Sequence, residues 1–176
     1  MSGKPNAEKE MRAGYEAIAE RIEIEIGIPE GRVLDVGCNI GAGLSVFAHR
    51  WPTAVLYGVE PDKALAKRAF DRGVGYVYRT SLENIRLIEG LFSLVTMRHS
   101  LEHLPDRRAA IGQLWNALRH GGHIYVQVPI EPGGTKNQLH LSPFTSLDEA
   151  RDAFPEFEEV YWGPQETVAE FIGRKP

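Results

Sequence analysis

The residues able to do chemistry fall in four places. Asp35, Gly37, Asn39 and Gly41 sit where an apolar, β-branched run (Val33, Leu34, Val36) gives way to the helical pattern of Leu44, Val46, Phe47 and Ala48. Glycines let a backbone approach a ligand closely, and the amides opening a helix accept polar or anionic groups, so this is a ligand-holding turn. Its bland alternative is a tight strand-to-helix turn that holds nothing. Glu60 closes a second such run about 20 residues past Gly37, where a strand-end carboxylate can accept hydrogen bonds from ribose hydroxyls. His99-Ser-Leu-Glu-His103 spells H-x-x-E-H, a zinc-protease spacing when both histidines share one helix face. His140, in a long loop, and His99 are imidazoles suited to general-base work near neutral pH.

Two of these patterns can be decided at once. A dinucleotide fingerprint fails because Asn39 and Ala42 stand at its second and third glycines, and a P-loop fails because no Gly-Lys-Ser/Thr follows. Asn tolerates positive φ better than other non-glycine residues, so the turn still forms with Asn39. The zinc pattern is set aside because the segment leaves a strand and meets Pro105 two residues after His103, which is no place for a regular helix. No metal site is expected, and a zinc hydrolase on His99, Glu102 and His103 stays only as an alternative that bound zinc would revive.

The elements that must position these residues follow from periodicity. Residues 1–7 are polar and expected to be flexible. An amphipathic helix over 8–26 carries Met11, Tyr15, Ile18, Ala19, Ile22 and Ile26 on one face. Strands are expected over Val33–Val36, Ala54–Val59, Gly75–Arg79, Leu91–Met97 and His123–Val128. Between them lie a helix after the glycine-rich turn, one opened by Pro61, and one from Arg107 to His120 closed by Gly121-Gly122. Strand-helix alternation of this kind demands a parallel sheet with its ligand crevice at the strands' carboxyl ends. Pro129 to Pro143 is a long loop, and Ser146-Leu-Asp-Glu149 is a capping box opening a helix through Phe154. Phe157–Trp162 and Thr167–Ile172 alternate as two final strands, read as an antiparallel hairpin.

The strand followed by Asp35-x-Gly37-x-Asn39-x-Gly41 resembles the first motif of class I S-adenosylmethionine (SAM) dependent methyltransferases of the small-molecule type, with Asn39 where that family usually has glycine. Glu60, the Leu-Glu102-His103-Leu wording after the fourth strand, and the Gly-Gly, strand, Val128-Pro129 succession extend the resemblance over roughly residues 30 to 144. It implies a Rossmann-like three-layer α/β sandwich with a mostly parallel seven-stranded sheet and a C-terminal antiparallel hairpin, as one domain over 1–176. It also implies SAM as cofactor, held by Asp35, Gly37, Asn39, Gly41, Glu60, Ser81, Leu82 and Arg98. Ser81 stands where the family usually has an adenine-binding Asp, and Ser93 replaces the Asp of its usual Phe-Asp-Leu-Val. A helix N-cap is the structural alternative for Ser81. Tyr15 is a candidate lid residue if the first helix covers the cofactor, with core packing as the alternative. His140 and then His99 are the candidate catalytic bases, each with a merely structural alternative.

Composition narrows the acceptor. The chain has 176 residues, 43% of them hydrophobic and 25% charged, as an ordinary globular domain would, and a formal charge of −4 gives no electrostatic reason to bind nucleic acid. The signature of amino-methylating nucleic-acid enzymes is missing at Arg98-His99-Ser100-Leu101. No run approaches the ~20 apolar residues of a membrane span, the start lacks a signal-peptide core, and the single Cys38 forms no internal disulfide, so a reducing cytoplasm is expected. The expected function is methyl transfer to a small molecule such as a sugar, lipid or natural product. Recognition would fall to the first helix, the 129–144 loop or a partner subunit, including a second copy in a homo-oligomer. The competing class is a SAM-binding domain without turnover, suggested by Asn39, Ser81 and Ser93.

Overall fold

The computed structural model describes residues 5–135 and 137–176. The chain forms a seven-stranded, mostly parallel α/β sheet that ends in an antiparallel hairpin, as expected. The chain divides into two compact units, residues 1–81 and 82–176. No described helix is long and apolar enough to cross a membrane.

In the first unit, α1 (Pro5–Ile26) packs on α2 (Ala42–Arg50), and β1 (Arg32–Val36), β2 (Val55–Val59) and β3 (Tyr76–Tyr78) pair in parallel. α1 opens at Pro5, so the flexible segment expected over 1–7 is corrected for residues 5–7, and residues 1–4 lie outside the described residues. Proline is favoured at a first helical position, which a search for apolar periodicity does not register. The stripe read from the sequence buries Tyr15, Ile18, Ala19 and Ile22. Tyr15 is core rather than lid, edge-on to Phe47 with ring centroids 5.7 Å apart. Phe47 in turn stacks on the fully buried Trp51 at 4.4 Å. The Trp51 indole N–H donates to Glu23 Oε1 (2.9 Å), as does Arg50 Nε (2.8 Å), which ties α1 to the end of α2. α3 (Lys63–Asp71) starts after Asp62, not at Pro61, because the Asp62 carboxylate caps it by accepting from the amides of Ala64 (2.8 Å) and Leu65 (2.9 Å).

In the second unit, β4 (Phe92–Arg98) pairs in parallel with β5 (Leu118–Pro129), and β7 (Val168–Arg174) pairs antiparallel with both β5 and β6 (Glu158–Pro164). α4 (Arg107–Ala117) ends three residues before the expected His120, and Gly121-Gly122 lie within β5 instead of stopping a helix. The cause is remote in sequence. Lys175 Nζ donates to the carbonyls of Trp115 (2.8 Å) and Leu118 (2.9 Å), while Gly121 N and Lys175 O, and Lys175 N and Gly122 O, pair as in a ladder. A cation caps the helix's last carbonyls, and the glycines absorb a bulge in the β4/β5 register. α5 (Leu147–Arg151) stops short of the expected Phe154, whose ring leaves the helix to stack on Phe171 at 4.5 Å.

Candidate functional site

The glycine-rich turn is built in the first unit from left-handed residues: Gly37 at φ 76°, Asn39 at φ 50° and Gly41 at φ 76°. Asn39 holds its conformation through its own side chain, whose Oδ1 accepts from Ile40 N at 2.7 Å. The amides of Gly37 (2.8 Å) and Cys38 (3.1 Å) both donate to Val59 O, and Gly41 N donates to Cys38 O at 2.8 Å, so the turn is stapled to the end of β2. Glu60, 6% exposed, completes the staple: Oε2 accepts from Asn39 N and Oε1 from Asp62 N, each at 2.9 Å. Each carboxylate oxygen has two lone pairs and one such donor, which leaves acceptor capacity for a vicinal diol. That pair of acceptors fits the ribose hydroxyls of a nucleoside cofactor.

Close packing supports the turn from behind. A Cβ on Gly43 would meet the Tyr15 ring at 2.4 Å, and one on Gly58 would meet Cys38 Sγ at 2.7 Å. Arg72 reaches back from the end of α3 to donate to Ile40 O and, at 2.6 Å, to Glu8 Oε1. Asp35 is fully buried at the end of β1. The Cys38 thiol is pushed well above its usual range, first by burial and then by the charges of Asp35 and Glu60, which makes it an inert core residue. Ser81 is half-buried just before the 3-10 turn Leu82–Asn84.

The second unit holds the other candidates. Leu82 is buried in the core, and its carbonyl accepts from Gln113 Nε2 at 3.1 Å. Arg98, Gln127 and Glu170 occupy one row across β4, β5 and β7; Arg98 Nε donates to Gln127 Oε1 (3.2 Å) and Gln127 Nε2 to Glu170 Oε1 (2.8 Å). Arg98 is therefore held by a polar row of the sheet. His99 follows at φ 49°, in the left-handed region, with its amide on Gln127 O at 2.9 Å.

Leu101–His103 is one 3-10 turn rather than a helix, so His99 and His103 do not share a helix face, as Pro105 led us to expect. The long loop folds back on this turn. Ser142 N donates to Glu102 O (3.0 Å), Ser142 Oγ to Leu104 O (2.6 Å), and Ile130 bridges to Phe144, closing the loop at its base. Arg107 clamps that closure with its guanidinium 4.0 Å over the Phe144 ring and 2.7 Å from Glu149 Oε1.

The fold-back brings His140 to a partner the sequence did not single out. His140 Nδ1 lies 2.8 Å from Glu131 Oε2, and the hydrogen bond to His140 holds the Glu131 carboxyl below its usual range. The His140 ring also meets the His103 ring edge-on, with centroids 4.9 Å apart. Nothing periodic links positions 131 and 140; the only clue was that a long loop carried both. A surface groove of about 700 Å³ lined by Arg107, Ile111, Phe144 and Glu149 among others contains none of the candidate residues.

A profile described as "Methyltransferase domain" matches residues 6–163. The trans-aconitate 2-methyltransferase of Deinococcus radiodurans is 27% identical over 129 residues, covering 73% of this chain and 50% of that protein. A ubiquinone biosynthesis O-methyltransferase of Cronobacter sakazakii is 33% identical over 119 residues, covering 65% and 47%. The chain thus spans about half the length of the curated relatives it matches. Among solved structures, the complex of the Haloferax volcanii Trm112 methyltransferase activator with a putative methyltransferase matches with a TM-score of 0.80 at 13% identity, covering 98% of this chain and 95% of that one.

Proposed function

Because the chain belongs to the methyltransferase-domain family, we propose that it transfers a methyl group from SAM to a small-molecule acceptor such as a sugar, lipid or natural product. The observation that carries this is the left-handed turn Gly37-Asn39-Gly41 clasped by the buried Glu60 carboxylate. The names of the two curated relatives, one for trans-aconitate and one for ubiquinone biosynthesis, support a small acceptor over a polymer. We take residues 1–176 to act as a single domain, since one family match runs from 6 to 163. On composition we place it in the cytoplasm. A homo-oligomer fits the same reading.

SAM, when bound, supplies an activated methyl group for in-line displacement, so positioning can provide most of the catalysis. In this assignment Glu60 accepts the ribose hydroxyls, and Asp35, Gly37, Asn39 and Gly41 shape the turn against the cofactor. Ser81 and Leu82 are assigned to adenine. Arg98 is assigned to the cofactor as well, and its tie to Gln127 makes its part that of a fixed positive charge.

A hydroxyl or ammonium acceptor must also lose a proton. His140 is the first proton acceptor in our assignment: with Nδ1 donating to Glu131, its Nε2 carries the free lone pair, the arrangement by which a carboxylate orients a catalytic imidazole. His99 is the second, with Nδ1 3.7 Å from Glu102 Oε1.

The test is calorimetric titration with SAM and S-adenosylhomocysteine of the wild-type protein and Glu60→Ala. Micromolar binding that the variant loses supports the cofactor assignment, and S-adenosylhomocysteine release with one member of an acceptor panel supports turnover. Binding with no release across the panel would select a SAM-binding domain without turnover. Absence of binding by the folded protein would sink the assignment.

A further inference from the structure

We propose that Glu102, His103 and His140 form a binding site for one divalent transition-metal ion of the zinc class. Glu102 is 1% exposed, and neither of its carboxylate oxygens has a hydrogen-bond partner among the described residues. Its nearest basic neighbour, His99 Nδ1, stands 3.7 Å from Oε1, beyond hydrogen-bond distance. A buried carboxylate without donors is costly, and such groups as a rule are paired or coordinate a metal.

The long loop supplies what a metal would need. One ligand atom each from Glu102, His103 and His140 lies within 4.8 Å of the other two. Both imidazoles are pre-set for ligation. His103 Nδ1 lies 2.9 Å from the Leu139 carbonyl, an acceptor only, so Nδ1 carries the proton and Nε2 the free lone pair. His140 is set the same way by Glu131, and that carboxylate–imidazole pair is the outer-shell arrangement that fixes ring orientation and strengthens a histidine ligand.

Two imidazoles and one carboxylate favour zinc, cobalt or iron over magnesium or calcium, which take oxygen ligands. Three protein ligands leave a coordination position open, as in metal sites that act on a substrate. A tetrahedral ion wants its ligand atoms about 3.4 Å apart, so loading draws the group together by up to about 1.4 Å, within the range of small side-chain rotations. The group is not the sequence motif H-x-x-E-H: His99 is outside it and His140, from the loop, takes its place. It departs from the expectation that the chain holds no metal.

Only the catalytic consequence rests on the methyltransferase assignment. A metal takes the Nε2 lone pair of His140, so the loaded protein keeps His99 alone as the imidazole base and offers the open position to an acceptor oxygen.

The experiment is titration of the EDTA-treated 176-residue chain with Co²⁺, read by visible absorption, followed by competition with Zn²⁺. We expect one ion per chain with the intense absorption of a low-coordinate site, displaced by Zn²⁺. Affinity should fall at least a hundredfold in Glu102→Gln and His140→Ala and about tenfold or more in Glu131→Gln, the loss usual for an outer-shell partner. His99→Ala should bind as the wild type does. Melting curves separate ligation from a structural role: Zn²⁺ should raise the Tm of the wild type but not of Glu102→Gln, whose metal-free form should melt no lower than the wild type's. No stoichiometric Co²⁺ binding by the folded protein would overturn the proposal. So would binding untouched by Glu102→Gln and His140→Ala, binding lost in His99→Ala, or a response to Mg²⁺ alone. SAM titration of the same samples reports on the cofactor assignment independently.

Discussion

The glycine-rich turn of the first unit and the 129–144 loop of the second are both held by a glutamate, but they are held in different ways. In the turn, Glu60 accepts from two backbone amides, and Gly43 is pressed against Tyr15 so closely that no side chain fits. Its hydrogen-bond partners come from the ends of the neighbouring parallel strands β1 and β2, and their positions follow from the turn's dihedrals and the strand register. In the loop, backbone ties at Ser142 and Ile130 fix the base, while the side chains above it, Glu131, Thr135 and His140, contact one another through single hydrogen bonds. A rigid cradle suits a constant ligand, and an adjustable loop suits the part of a site that differs from one relative to the next.

Substitution should expose this difference, most severely in the turn. Glu60→Ala removes the charged acceptor assigned to the ribose hydroxyls, an interaction worth about 1.5–3 kcal/mol. Titration should therefore show SAM affinity lower by about ten- to more than a hundredfold. Equal affinity in the variant would mean that the turn does not hold the cofactor. Gly43→Ala puts a methyl group into the Tyr15 ring, an overpacking that costs about 1–3 kcal/mol, and chemical denaturation should show the loss. The same change in a Tyr15→Ala background should cost less than it does alone, because the clash has gone. At Asn39, whose φ is 50°, a valine costs about 1–2 kcal/mol in a conformation that β-branched residues avoid, whereas a glycine stays within about 0.5 kcal/mol of the wild type. If valine and glycine proved equal, the left-handed turn would be wrong.

What the sequence revealed divides along the same line. Gly37, Asn39, Gly41 and Glu60 could be placed on one turn because a turn's dihedrals and a strand's end are local properties, and the observed φ values and the Asn39–Glu60 contact put them together. The mostly parallel sheet was readable from alternation, and its antiparallel end from the hairpin pattern. Two of the misplaced boundaries had a distant cause. α4 stops at Ala117 because Lys175, near the other end of the chain, caps its carbonyls, and Gly121-Gly122 looked like a helix stop because a bulge uses the same residue. The meeting of Glu102, His103 and His140 depends on how a long loop closes. No spacing rule encodes that closure; H-x-x-E-H named two of the three residues and the wrong third.

The smallest effect, and the one that sharpens the contrast most, is the response of the loop to acid. Glu131 is held below its ordinary carboxyl range chiefly by the hydrogen bond to His140. A carboxyl depressed in the folded state adds stability that is complete above its unfolded pKa of about 4.3 and is lost as pH falls through the lower folded value. The tether should therefore be intact from neutrality down to about pH 5 and let go only in stronger acid. With side chains partly open to water on both partners, its share of global stability is small. Hydrogen exchange at pH 7 and at about pH 3 should show faster opening of residues 131–135 and 137–140 in acid, with the amides of Gly37, Cys38 and Asn39 unchanged. The difference at the loop should vanish in Glu131→Gln. Acid opening of the turn before the loop would reverse the assignment of which region is rigid, since Glu60 in the turn accepts from two backbone amides, whereas Glu131 is held by single side-chain hydrogen bonds.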